Sequence, residues 1–295
     1  MRLGLALPQY GRLASLTAVA GFATTAEGLG YSSFWVGDRV LTPISPSDRY
    51  PGGTAERPYP PEFVTFADPF TVLTVAATAT KTARLGSSTL TGPVYPPVLL
   101  ARALTSLDQL SGGRLDAGLG IGWLRDEYTA AGVPWVGRGK RLEELLDVLR
   151  AFWTGEPVEH LGERWHVPAS KVGLRPVQRP HPPILLGGMS KASLDRVGRT
   201  ADGWLPGGLP APLLRKLWQV VTASAERAGR DPAALRRVLR LNPAADSRLS
   251  AVAEQLTAAW EIGFTEAFVD LHYLARDVPH ALGLAAELRP LVPQA

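Results

Sequence analysis

Short runs of apolar, β-prone residues alternate along this chain with longer stretches in which apolar positions recur at helical spacing. That alternation is the pattern of βα units wrapped around a parallel sheet, and eight such units can be drawn. The predicted strands are 3–7, 33–36, 84–90, 115–119, 184–186, 203–205, 237–241 and 267–270. A helix is predicted after each, over 14–29, 68–80, 98–110, 138–153, 191–199, 211–227, 250–261 and 275–291. Punctuation supports several of these: Gly30 follows Leu29 as a helix stop, Ser190 stands ready to cap a helix opening at Lys191, and Asp231-Pro232 breaks the chain after the sixth helix.

Two stretches are too long for ordinary connections. Residues 40–66, rich in proline and glycine, follow the second strand. In a barrel the loops at the C-terminal strand ends form the mouth, so this segment reads as a lid, with a functionless surface excursion as the other reading. Residues 155–182 carry Val158-Glu159-His160 and Arg164-Trp165-His166 around Gly162, the pattern of a small hairpin beside the barrel. The fold class expected is therefore α/β: one (β/α)8 TIM barrel over residues 1–295, with an extended loop after strand 2 and a hairpin insertion before strand 5. A chain of 295 residues accommodates it, since such barrels use about 250.

Composition narrows the function classes. Apolar residues make up 45% of the chain and the formal net charge is +4, spread without a basic stripe interleaved with aromatics. A nucleic-acid partner is not expected; a mild positive surplus suits an anionic small molecule. The absence of cysteine removes disulfides, thiolate catalysis, iron–sulfur clusters and cysteine-ligated zinc. His160, His166 and His181 fall in the hairpin segment and show no metal-site spacing, so no metal is expected. No apolar run approaches the roughly 20 residues that span a bilayer, and the N-terminus reads as a first strand rather than a signal peptide. The expectation is a cytoplasmic protein with no membrane partner.

Pro97 to Leu104, Leu107-Asp108, the run Leu110-Ser111-Gly112-Gly113-Arg114-Leu115 and Gly118-Leu119-Gly120-Ile121-Gly122-Trp123 together resemble the central signature of the luciferase-like monooxygenase superfamily. Gly137-Arg138-Gly139-Lys140-Arg141, Pro182-Pro183-Ile184-Leu185-Leu186-Gly187-Gly188 and Ala201-Asp202-Gly203-Trp204 match it further, in order. Within that superfamily the chain is most similar to the branch using the deazaflavin coenzyme F420. The flavin mononucleotide (FMN) branch shares the barrel.

The resemblance assigns expectations to residues. Ser88-Thr89 aligns with a bulge holding a non-proline cis peptide behind the cofactor ring, and Thr91 becomes a donor to the ring edge; without the resemblance this is a plain strand with small hydroxyls. Gly187, Gly188, Met189 and Ser190 become a phosphate cradle assisted by Lys191, because backbone N–H groups at a helix start favour anions. Glycines alone would be a weak signal there. The Gly118-x-Gly120-x-Gly122 run lacks the helix and downstream acid of a dinucleotide fingerprint. Its glycines, Gly120 among them, are expected to let the cofactor approach the backbone. Trp123 and Trp204 are expected to wall the substrate pocket with Tyr10 and the lid, core packing being the alternative for Trp123.

Similar enzymes commonly carry Asp-His where this chain has Asp38-Arg39, and the carboxylate that works near the cofactor in sugar-phosphate-oxidising relatives falls at Trp123. Arg39 cannot release its proton at neutral pH; it can bind an anion or a carbonyl. The remaining candidate proton carriers at strand ends are Tyr10 and His272, with a structural hydrogen bond as the other reading of the histidine. The resemblance thus implies hydride transfer between F420 and a small-molecule substrate. An FMN-dependent monooxygenase and a non-catalytic flavin- or deazaflavin-binding protein are the rivals. A barrel glycosidase would need two facing carboxylates, and only Asp38 and Asp270 offer themselves. Relatives are often dimers, so a homodimer is also an expectation, with no interface legible.

Overall fold

The computed structural model describes residues 1–292; residues 293–295, the last of the predicted barrel span, lie outside the described residues. Strands β1 (Arg2–Ala6), β2 (Ser33–Val36), β3 (Arg84–Ser87), β4 (Leu90–Thr91) and β5 (Leu115–Gly120) come from the first half of the chain. The antiparallel hairpin of β6 (Val158–Leu161) and β7 (His166–Ser170) stands apart from the barrel. Strands β8 (Ile184–Leu186), β9 (Gly203–Trp204), β10 (Arg236–Leu241) and β11 (Glu266–Val269) complete the sheet. The parallel order β3-β2-β1-β11-β10-β9-β8-β5 closes on itself through β3–β5 pairing, with β3 and β4 forming two pieces of one barrel strand. The expected (β/α)8 barrel is the fold observed.

Around it lie α1 (Val19–Gly28), α2 (Pro69–Ala79), α3 (Pro97–Leu110), α4 (Arg125–Ala130), α5 (Arg138–Thr154), α6 (Lys191–Thr200), α7 (Ala211–Arg227), α8 (Leu249–Glu261) and α9 (Val278–Leu288). The first helix is shorter than its apolar pattern predicts: after the 3-10 turn Gly11–Leu13 the chain stays irregular and then turns over residues 16–18, and the helix opens only at Val19. The last begins at Val278, where the Asp277 side chain accepts the His280 N–H. Helix α4 was not predicted; six residues are too few to display a helical period. None of the described helices is long and apolar enough to cross a membrane.

Two cores follow from strand alternation. Outward-facing residues such as Leu3, Leu5, Leu119 and Trp204 pack against the helices, while Trp35, Leu185, Leu205, Val238 and Phe268 fill the barrel itself. Trp35 stacks on Phe268 with ring centroids 4.8 Å apart. The N-terminal end of the barrel is plugged by charge. Asp116, fully buried, pairs with Arg84 and Arg236, and Arg236 also pairs with Glu266 at 2.8 Å.

The predicted strand 84–90 is interrupted. Leu85 pairs with Leu115, yet Leu90 pairs with Leu119, so this strand carries one residue more than its neighbour between those points. The surplus is a β-bulge, and within it the Ser88-Thr89 peptide is cis.

Candidate active site

Three chambers open at the C-terminal end of the barrel, and Thr89 of the bulge lines all of them. A lid chamber lies beneath residues of the 40–66 segment, with Asp38, Arg39, Tyr50, Phe63, Trp123 and Arg240 in its walls. A cradle chamber is bounded by Gly120, Gly187, Gly188, Met189, Ser190 and Arg196. A middle chamber joins them over Ser88, Thr89, Gly187, Gly207, Arg240 and Asn242. The lid chamber is the smallest, at about 170 Å³ against about 330 Å³ for the cradle and about 340 Å³ for the middle.

The bulge is held from both sides. Its Ser88 N–H donates to the Val36 carbonyl at 2.6 Å, and its Ser88 carbonyl accepts from Arg240 Nη1 at 2.7 Å. On the other side, Gly118 and Gly120 of β5 and Gly122 just beyond it make room for it. A Cβ at Gly118 would lie 1.7 Å from the Ser87 carbonyl oxygen, at Gly120 2.6 Å from Thr89 Oγ1, and at Gly122 2.7 Å from Thr91 Cγ2. These glycines admit the neighbouring strand, and Gly120 and Gly122 also border the cradle, where the sequence reading expects them to let a cofactor approach the backbone.

Arg240 is braced in turn. Its Nη2 donates to Asp270 Oδ2 at 3.1 Å and its Nε to Asn242 Oδ1 at 2.9 Å. Asp270 Oδ2 also accepts the Tyr10 hydroxyl at 2.8 Å. Tyr10 is stacked between Phe66 and His272, its ring 5.0 Å and 4.0 Å from theirs. Burial, followed by the Asp270 charge, pushes the Tyr10 phenol up, and burial pushes the His272 imidazole down. Neither Tyr10 nor His272 lines any of the three chambers, and both are at most 3% exposed. The two sequence-predicted proton carriers thus form a buried buttress behind Arg240.

Asp38 and Arg39 do line the lid chamber. Asp38 Oδ2 accepts from the Thr91 N–H at 2.8 Å and the Tyr95 hydroxyl at 3.0 Å, tying β2 to the far side of the bulge. Burial nonetheless pushes its carboxyl pKa up. Arg39 donates from Nη2 to Glu127 Oε2 at 2.8 Å, and its guanidinium lies 4.9 Å from the Trp123 ring. Glu127, wholly buried on α4, accepts the Val40 N–H through its other oxygen at 2.8 Å. Beside it Asp126 accepts from the Ser47 backbone N–H at 2.8 Å and its hydroxyl at 3.1 Å, and the Arg125 N–H donates to Asp48 Oδ2 at 2.9 Å. The short helix therefore clips the lid down.

Trp123 faces the lid chamber and meets Tyr50 edge-on, with centroids 5.4 Å apart. Trp204 does not join it. Alternation along the strand turns Trp204 outward against Trp218 and Phe264, while Leu205 turns inward. The Trp204 indole instead donates to the Gly188 carbonyl at 3.0 Å and steadies the cradle from behind.

In the cradle, Gly188 takes a φ of +119°, a conformation open to glycine. Ser190 caps α6 by accepting the Ser193 N–H at 3.2 Å. Lys191 lines a separate surface hollow and pairs with Asp195, so it does not assist the cradle. Arg196 fills that place, held by Glu143 at 2.9 Å. Arg196, Arg240 and Glu127 escaped sequence reading. A helical arginine near a cap, a strand-end arginine and an acid on an unseen helix carry no signal among 31 basic and 27 acidic residues.

The sequence profile described as luciferase-like monooxygenase matches residues 2–287. An uncharacterised protein of Mycobacterium tuberculosis is 34% identical over 215 residues, spanning 70% of this chain and 71% of that protein. An FMNH2-dependent dimethylsulfone monooxygenase of Pseudomonas putida is 33% identical over 133 residues, 44% of this chain and 36% of that enzyme. Among solved structures, an F420-dependent secondary alcohol dehydrogenase in complex with an F420–acetone adduct superposes with a TM-score of 0.77 at 17% identity, over 99% of both chains. That last likeness is one of fold.

Proposed function

This chain belongs to the luciferase-like monooxygenase family, and from that premise we propose that it is an oxidoreductase that binds coenzyme F420 across the barrel mouth and transfers a hydride between it and a small organic substrate. The observation carrying this reading is the convergence of three differently built chambers on Thr89. The cradle suits a phosphate, which the start of α6 and Arg196 would bind through dipole and charge. The middle chamber suits a flat ring system, which the Ser88-Thr89 bulge would support with Arg240 fixing its carbonyl. The smaller lid chamber suits the substrate.

When bound, the deazaflavin supplies the carbon that carries the hydride. The protein's own groups do the rest. Tyr50, Phe63 and Trp123 exclude water above the bulge, and the clip from α4 keeps them in place. Arg39 cannot give up a proton; the carboxyl facing the lid chamber is Asp38, whose pKa burial raises, and it would serve as the group that takes up or releases one.

The test is a pair of titrations of the purified protein, with F420 and with FMN, followed by quenching of cofactor fluorescence. F420 is expected to bind at least about tenfold more tightly. Tighter binding of FMN, with oxygen consumed when it is supplied reduced, would replace this reading with a flavin monooxygenase. Binding of F420 with no turnover over a broad panel of alcohols, ketones and acids would leave a binding protein.

A further inference from the structure

Arg39 is held as though for a partner the protein does not supply. Its side chain is only 5% exposed, and two of its three nitrogens are spoken for: Nε by the Asp38 carbonyl at 3.3 Å and Nη2 by Glu127. Nη1 is buried with no acceptor among the described residues. A desolvated guanidinium donor left unpaired costs more than an ordinary missing hydrogen bond, and buried polar groups in native proteins are almost always satisfied. Glu127 cannot rotate to serve it, because both of its oxygens are engaged. Asp38 is drawn the other way, toward Thr91 and Tyr95.

The surroundings say what kind of acceptor belongs there. Arg39 lines the lid chamber, and the walls beside it are the rings of Tyr50, Phe63, Phe66 and Trp123. Its guanidinium lies over Trp123 at 4.9 Å and near Phe63 at 5.9 Å. A second guanidinium, Arg240, lines the same space. An apolar body with one anionic end would place the body against the rings and the anion beside the Arg39 guanidinium, which has one donor left unpaired and makes strong charge-assisted hydrogen bonds. A volume of about 170 Å³ restricts that body to roughly one ring or a short chain.

We infer that the lid chamber binds a small apolar carboxylic acid, its carboxylate held by the guanidinium of Arg39 with Nη1 as the donor still free to give, and that Arg39 sets the substrate class. What is done to that acid rests on the hydride-transfer reading; its binding does not.

The experiment compares benzoate with its neutral isostere benzamide, titrated into the full-length protein with and without saturating F420 and followed by tryptophan fluorescence and calorimetry. The wild type is expected to prefer benzoate by at least about tenfold. In Arg39→Gln/Glu127→Gln, which removes both members of the buried pair so that neither is stranded, the preference should fall to within about twofold, with F420 affinity unchanged. Equal binding of the two probes, or no binding of either, overturns the inference and assigns Nη1 to water; this wild-type contrast stands even if the double variant does not fold. Preference surviving in the double variant, or loss of its F420 binding, also overturns it, the latter by giving Nη1 to the cofactor. A wild type that prefers benzoate but ignores F420 would sink the proposed function and leave this inference standing.

Discussion

A methyl group at Gly118 would be driven to 1.7 Å from a backbone carbonyl, whereas at Gly120 it would meet a threonine hydroxyl at 2.6 Å. Backbone cannot step aside, but a side-chain rotor can, so the two positions should respond differently to the same substitution. Gly118→Ala is expected to cost about 3 kcal/mol in urea unfolding, the upper end of overpacking costs, and Gly120→Ala about 1 kcal/mol. Equal costs would mean that the close approach at Gly118 is not real. The alternate glycines were legible as a motif but not as an answer. Their meaning depends on Ser87, Thr89 and Thr91 lying opposite, and that pairing depends on a ladder with a surplus residue in it. The same holds for Trp204, whose direction is set by parity along a strand too short to reveal its own phase.

The lid is an element with little regular structure of its own, a single 3-10 turn at Pro61–Val64, yet it is tied at its start to α4 through Glu127, Asp126 and Arg125. Asp126 holds the middle of this clip with two hydrogen bonds to Ser47. Losing them in Asp126→Ala should weaken local closure by about 1 kcal/mol, which speeds amide exchange near Ser47 roughly fivefold while the barrel strands keep their protection. Uniform protection across residues 40–66 in the variant would show that the aromatic contacts alone suffice. Proline and glycine content made the lid visible in the sequence. The clip was not visible, since Arg125–Ala130 is a helix of six residues, too short and too charged at its start to show an apolar stripe.

Across the whole molecule, both ends hold buried ion pairs but use them differently: at the bottom they close the barrel, and at the mouth Arg39–Glu127 and Arg240–Asp270 stand among small residues and aromatics around open chambers. Asp116 stands at the centre of the bottom, and although its burial raises the carboxyl pKa, Arg84 and Arg236 outweigh that and hold it below 3.8. A depressed folded-state pKa contributes stability above the unfolded value that is lost as pH falls. Asp116→Asn should therefore cost about 3 kcal/mol at neutral pH, and the gap to wild type should narrow below about pH 4. A gap constant from pH 7 to pH 3 would remove the plug from the stability balance. The eight-unit alternation and most strand positions were legible because outward apolar residues repeat along every strand. The plug was not, because each of its members looks like an ordinary charge near a strand start until the ring is closed. Closure also makes chain length unequal in value from place to place. Residues can be added to or taken from the lid at little cost to the ring, but deleting one residue between Gly86 and Leu90 would cancel the surplus: Leu85 and Leu90 would still meet Leu115 and Leu119, and the ledge at Ser88-Thr89 that all three chambers share would flatten into plain strand. Counting in the third strand is therefore part of the site: a single-codon deletion there would erase the step on which the mouth is floored while leaving the barrel able to form.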